Sequence, residues 1–164
     1  MFVKPENNKG FTLVELLTVV AIIAILVAVV APNLFRAIEK SKVTAVVADY
    51  MNIKTATLAY YSDTGNWPVG NSGDNSDTDP GFVKQNPNVD NWNGPYLESW
   101  PVKNPWGKNY VFVEENDLFG PARCLRVDGV PETAAESLQE QLGETNVKTK
   151  KNGVDYVYLL IAKD

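Results

Sequence analysis

The chain has 164 residues, 45% of them hydrophobic and 21% charged, with 15 Lys and Arg against 20 Asp and Glu for a formal charge of -5. That length and apolar content suit one packed domain and exclude a wholly disordered or collagen-like protein. With a single cysteine and no histidine, an internal disulfide, a cysteine zinc cage and the commonest general base are all missing, and the acidic balance argues against broad phosphate neutralisation on nucleic acid.

Residues 1–10, MFVKPENNKG, are polar and carry Lys4 and Lys9. From Phe11 to Ala31 the sequence then holds one charge, Glu15, in an otherwise apolar run. As a helix those 21 residues span roughly 31 Å, the thickness of a bilayer core. A basic leader before an apolar run resembles a secretory signal. However, Pro32, Asn33, Leu34 and Phe35 follow where small residues would mark a cleavage site, so the run is expected to stay in the mature protein. Lys4 and Lys9 on one side and Arg36, Lys40 and Lys42 on the other leave the orientation of the span open by charge alone.

Glu15 is the informative residue of the span. A carboxylate at the centre of a bilayer costs about 2.5–3.5 kcal/mol on insertion scales, less near a helix end. Either it reaches the headgroups, or it awaits a cation within the membrane. Cleavage between Gly10 and Phe11 would create such a cation, the α-amino group of Phe11, four residues from Glu15 on the same helix. The amine of a neighbouring subunit would serve equally and would set the register between chains.

Lys9-Gly10-Phe11-Thr12-Leu13-Val14-Glu15, the apolar run and Pro32 together resemble the prepilin signature of type IV pilins and type II secretion pseudopilins. The resemblance implies that a membrane prepilin peptidase cuts after Gly10 on the cytoplasmic side and N-methylates Phe11. It also implies that Glu15 is the assembly glutamate and that Pro32 is where the membrane helix bends or melts in a fibre. The partners implied are other pilin-like subunits in a homopolymer, an inner-membrane assembly platform and its ATPase. The globular part is then exported to the periplasm or cell surface.

Beyond the span, Val43, Val46, Val47, Tyr50, Ile53, Thr57, Tyr60 and Tyr61 recur at steps of three and four, an amphipathic stripe for packing on the protein's own globular part. Helix is expected from Phe11 to Ser62, roughly 78 Å long, with a kink at Pro32 near Asn33 and a stop at Asp63-Thr64-Gly65-Asn66. Residues 63–109 follow as an irregular region with Trp67, Trp92, Trp100 and Trp106, whose expected task is to pin a long loop onto the core. Asp74, Asp77 and Asp79, with Asn71 and Asn75, offer oxygen ligands for calcium, but the spacing is not that of an EF-hand. A solvated loop without a cofactor is the expectation.

Gly94-Pro95-Tyr96-Leu97, Trp100-Pro101 and Asn104-Pro105-Trp106-Gly107 resemble the segment of the G-type major pseudopilin that leads into its first strand, and Thr64-Gly65-Asn66-Trp67-Pro68 resembles that family's helix-ending turn. Asn104 stands where the family has aspartate. Of the family's calcium loop only Asp128-Gly129 has a counterpart, so no calcium site is carried over.

In the last segment, 110–164, strands are expected at Tyr110 to Val113 and Ala122 to Val127, joined as a meander around Glu115-Asn116-Asp117. Pro131 opens a short helix ending at Gly143, a pattern shared with some minor pilins, and Asn152-Gly153 joins Val147–Lys150 to Tyr156–Ala162 as a hairpin. Lys148, Lys150 and Lys151 are expected to be solvated rather than to contact DNA. Cys124 reads as a small buried hydrophobe, and Ser41 and Ser137 have no base beside them, so no catalytic apparatus is visible.

The expected fold is therefore α+β: a long N-terminal helix, membrane half 11–31 and amphipathic half 32–62, packed on a small antiparallel sheet. The expected function is a structural fibre subunit, a secretion pseudopilin in preference to an adhesive, motility or DNA-uptake pilin. A single-pass anchored glycan-binding domain using the tryptophan loop is the alternative from a different class.

Overall fold

The computed structural model describes residues 10–69, 79–151 and 155–163. The leader lysines Lys4 and Lys9, the loop residues Asn71, Asp74, Asn75 and Asp77, and the Asn152-Gly153 turn lie outside the described residues. Among those described the order is α1 (Leu13–Thr64), β1 (Tyr110–Glu115), β2 (Ala122–Asp128), α2 (Glu132–Leu142), β3 (Val147–Lys151) and β4 (Asp155–Lys163). The chain divides into two compact units, one ending at Ile38 and the other beginning at Glu39.

In the first unit α1 is apolar on every side. Its most hydrophobic 18-residue window has a mean hydropathy of 3.1 and none of it is buried. Leu13, Ile25 and Val29 are among many large side chains left more than half exposed. A helix that is hydrophobic all round needs an apolar surrounding, which the described residues do not provide. Pro32, where the sequence predicts a bend, sits inside α1 and does not terminate it.

The second unit carries the core. Along α1 the buried residues are Val43, Val46, Tyr50, Ile53, Ala56, Thr57, Tyr60 and Thr64, one stripe at helical spacing. Two residues of the expected stripe fall off it: Val47 is half-buried, and Tyr61 is exposed and stacks on Trp67 with ring centroids 4.0 Å apart. The helix stops at Gly65, whose φ of +68° is left-handed and whose N–H donates to the Tyr61 carbonyl at 2.9 Å; glycine adopts that conformation without a Cβ penalty.

All four strands are antiparallel, in the order β1-β2-β4-β3. Tyr110, Phe112, Leu125, Val127, Val157, Leu159 and Ile161 form the inner face with the α1 stripe. Because strand residues alternate in direction, Cys124 and Tyr158 fall on the other face, beside Ala122 and under Leu118 and Phe119. Placement of β4 between β2 and β3 goes beyond the expected meander and hairpin. In α2, Ala134, Ala135 and Leu138 are buried, and Pro131 precedes the helix as its N-cap rather than opening it.

Candidate functional site

The segment that the prepilin resemblance singles out begins before α1. Gly10, Phe11 and Thr12 are outside the helix, and Phe11 is 88% exposed. Among the described residues, a Cβ built on Gly10 meets nothing within 4 Å. The Gly10–Phe11 peptide bond is thus in non-helical, open backbone, the conformation in which a protease can reach a bond.

Two residues later the helix is capped. Thr12 Oγ1 accepts the Glu15 backbone N–H at 3.2 Å, while Glu15 Oε2 accepts the Thr12 backbone N–H at 2.9 Å and the Thr12 hydroxyl at 2.7 Å. This reciprocal arrangement is a capping box, which satisfies amide groups that a helix N-terminus leaves unpaired. In the chain with its leader attached, Glu15 is thereby tied to Thr12, a role the sequence reading missed. The Thr-x-x-Glu spacing is the signal that identifies it. Both Thr12 bonds go to Oε2, and Oε1 has no partner among the described residues.

At the start of the globular unit a second constellation forms around Asn104, which is 4% exposed. Its Oδ1 accepts the N–H groups of Trp106 at 2.9 Å and Lys108 at 3.2 Å, and its Nδ2 donates to the Asp128 carbonyl at 2.7 Å. The turn that results presents Trp106, whose indole N–H donates to Glu39 at 3.0 Å. Lys42 bonds the same carboxylate at 2.8 Å, and these two donors, the Lys42 ammonium foremost, hold the Glu39 carboxyl below its usual range. Closer to the middle of α1, the Tyr110 hydroxyl donates to Asp49 at 2.8 Å; burial, reinforced by that carboxylate, pushes the phenol well above its ordinary range.

The tryptophans pin the irregular region, as expected. Trp100 stacks on Phe82 at 5.9 Å, the Trp92 indole donates to the Gly81 carbonyl at 2.9 Å, Trp67 lies on Tyr61 and Trp106 is tied to Glu39. Of the acids considered for calcium, Asp79 is described: its two oxygens accept the N–H groups of Gly81, Phe82, Val83 and Lys84. That carboxylate is a cap for the turn. No cluster of three His, Cys, Asp or Glu suited to a metal occurs among the described residues. Cys124 is buried, and burial raises its thiol to about 12, so it stays protonated and packs as a small apolar group.

Residues 6–31 match the prokaryotic N-terminal methylation motif, and residues 37–131 match the family described as PilW, C-terminal. The chain is 33% identical over 151 residues to the type II secretion system core protein G of Vibrio cholerae serotype O1, covering 88% of this chain and 97% of that one. To the core protein G of Pseudomonas aeruginosa it is 35% identical over 112 residues, 66% of this chain and 75% of the other. Among solved structures, the major type IV pilin PilA1 of Clostridium difficile matches with a TM-score of 0.53 at 24% identity, covering 77% of this chain and 98% of that one, a likeness of fold. A methylation motif at the head of an apolar helix, joined to a globular unit matched across nearly the whole length of a relative, places the chain in the family of pilin-like fibre subunits, the type II secretion pseudopilins and type IV pilins.

Proposed function

We propose that the chain is a non-catalytic subunit of a type II secretion pseudopilus. It is made as a single-pass inner-membrane precursor, cut between Gly10 and Phe11 and N-methylated at Phe11 by a prepilin peptidase. An assembly platform and its ATPase then draw it from the membrane into a fibre whose centre is a bundle of the 11–31 helices. The observation that carries this reading is the first part of α1, from Leu13 to Ala31, with apolar side chains exposed on every side and one carboxylate near its start. Exchanging lipid for neighbouring helices changes little apolar burial, so extraction requires a polar pairing and external work.

The geometry of Glu15 suits that pairing. Its Oε2 is held by Thr12, which fixes the side chain at the helix start, and its Oε1 is left for the amine that cleavage exposes on an adjacent subunit. Methylation of that amine preserves its charge. Glu15→Val is accordingly expected to be processed like the natural chain, shown by a terminal Phe11 of methylated mass in protein from cells, and to yield no fibres. Normal fibres from Glu15→Val, or native protein beginning at Met1, would overturn the proposal. Deleting the gene separates secretion from surface pili: lost export of secreted enzymes supports the pseudopilus, and lost surface fibres or transformation supports a pilus.

A further inference from the structure

The globular unit is charged asymmetrically along α1. Where α1 ends, Asp63 accepts the Tyr96 hydroxyl, Asp79 caps its turn beside Tyr60, and Glu115 and Asp117 occupy the far end of β1. At the other end the Trp106–Glu39 bond brings the Asn104 turn to the first helical turn of the unit. Lys40 there is exposed, Lys42 bonds Glu39, and the turn itself adds the exposed Lys103 and Lys108. The sheet register extends this row, since Asp128, which receives the Asn104 amide bond, lies opposite Tyr156 and Tyr156 opposite Lys150.

The carboxylates at this end are largely engaged: Glu39 by Lys42 and Trp106, and Asp128 by Arg126 at 2.8 Å, with Glu132 opening α2 nearby. By contrast, Lys40, Lys103 and Lys108 pair with no carboxylate among the described residues; Lys84 and Lys163, at the other end, have none either, but there Asp63, Asp79, Glu115 and Asp117 surround them. A chain of net charge -5 therefore keeps three exposed lysines without carboxylate partners at the end where its own carboxylates are engaged.

That end is also the one tethered to the span. Seven residues, 32–38, lie between Ala31 and Glu39, and the eight steps from one to the other span about 12 Å as helix and no more than about 28 Å fully extended. A tether of that length lets the basic end reach the headgroup region, and Arg36 lies on it. On the exported side, cations so close to a span run against the usual bias for placing Lys and Arg in the cytoplasm. Their retention calls for a compensating contact.

We propose that, before assembly, the globular unit docks on the outer leaflet of its membrane by this end, with Lys40, Lys103 and Lys108 contacting anionic phospholipid headgroups and Trp106 seated at the interface. A juxtamembrane Lys or Arg gains about a fivefold preference for an anionic surface. The docked state holds the subunit upright and the acidic end away from the bilayer. This inference rests on the membrane-anchored reading above.

The test uses the full chain, one copy per nanodisc, in phosphatidylcholine alone or mixed with phosphatidylglycerol, with lysine acetylation rates read residue by residue by mass spectrometry. In the anionic discs Lys40, Lys103 and Lys108 are expected to react about fivefold more slowly, while Lys84, at the acidic end, is unchanged. About 1 M salt, which shortens the Debye length to ~3 Å, should abolish the difference. Lys103→Gln with Lys108→Gln should shrink the remaining effect at Lys40. Equal rates in the two lipids overturn the inference, as does protection that arises only when many copies share a membrane, which would assign this end to a second copy of the chain. A chain that never enters the disc refutes the membrane reading itself; one that enters and ignores the lipid refutes only the docking.

Discussion

Asn104 shows how one side chain can organise a turn. An amide both accepts and donates, and here the accepting oxygen gathers the Trp106 and Lys108 N–H groups while the nitrogen reaches the Asp128 carbonyl. Aspartate, the residue of the resembling family at this place, reproduces the first half only. Asn104→Asp would set a carboxylate oxygen against the Asp128 carbonyl with no proton between them. It is expected to destabilise the globular unit by about 1–3 kcal/mol, the cost of a buried acceptor left unpaired, seen as a lower urea midpoint of tryptophan emission for the full chain in detergent. An unchanged midpoint would show that the turn does not need the donor. Gly129, next to Asp128, has a φ of +68°, and a Cβ there would lie 2.6 Å from Lys108 Cγ, so the turn and the strand end are matched in shape as well as in hydrogen bonding.

At the scale of elements, α1 serves two environments and is specified differently in each. From Val43 onward its buried side chains follow one stripe, and period alone predicts which residues meet the sheet. Before Ile38 there is no stripe to read. The helix start is instead set by the capping box, whose Thr12 and Glu15 satisfy each other's polar groups. Thr12→Val removes the hydroxyl that accepts the Glu15 N–H and donates to its carboxylate. It is expected to weaken the first turn by about 0.5–2 kcal/mol, the value of a lost N-cap, measured as faster amide exchange at residues 13–16 in the full chain in detergent, with the globular unit unaltered. Equal exchange in the two proteins would remove Thr12 from the cap. The expected helix and strands were legible because each has a repeating pattern or a Gly or Pro boundary, and α2 was legible from Pro131 and Gly143. The Asn104 constellation had no local pattern, since its partner Asp128 is 24 residues away.

On the scale of the whole molecule, the chain joins a self-sufficient folded unit to a helix that cannot satisfy itself in water. The apolar surface exposed from Leu13 to Val30 far exceeds what a monomeric soluble protein displays. The protein is therefore expected to remain with membranes through an alkaline carbonate wash and to be released by detergent, checked by fractionation and immunoblot. Release by carbonate alone would mean that the helix is covered by something other than lipid.

The candidates Gly10, Phe11 and Glu15 could be named from the sequence because they lie within six residues, and the chemistry of a lone carboxylate in an apolar run depends on neighbours along the chain. The membrane half of α1 and the α+β class followed from composition and period for the same reason. Tertiary structure alone decided that β4 inserts between β2 and β3, because strand order depends on which edges meet after α2 packs, and no local pattern encodes that. It likewise decided that Glu39, Trp106, Asn104 and Asp128 join into one hydrogen-bonded constellation of the globular unit. Those contacts span up to 67 residues of sequence, and only the packing of the sheet against α1 brings their polar groups to bonding distance.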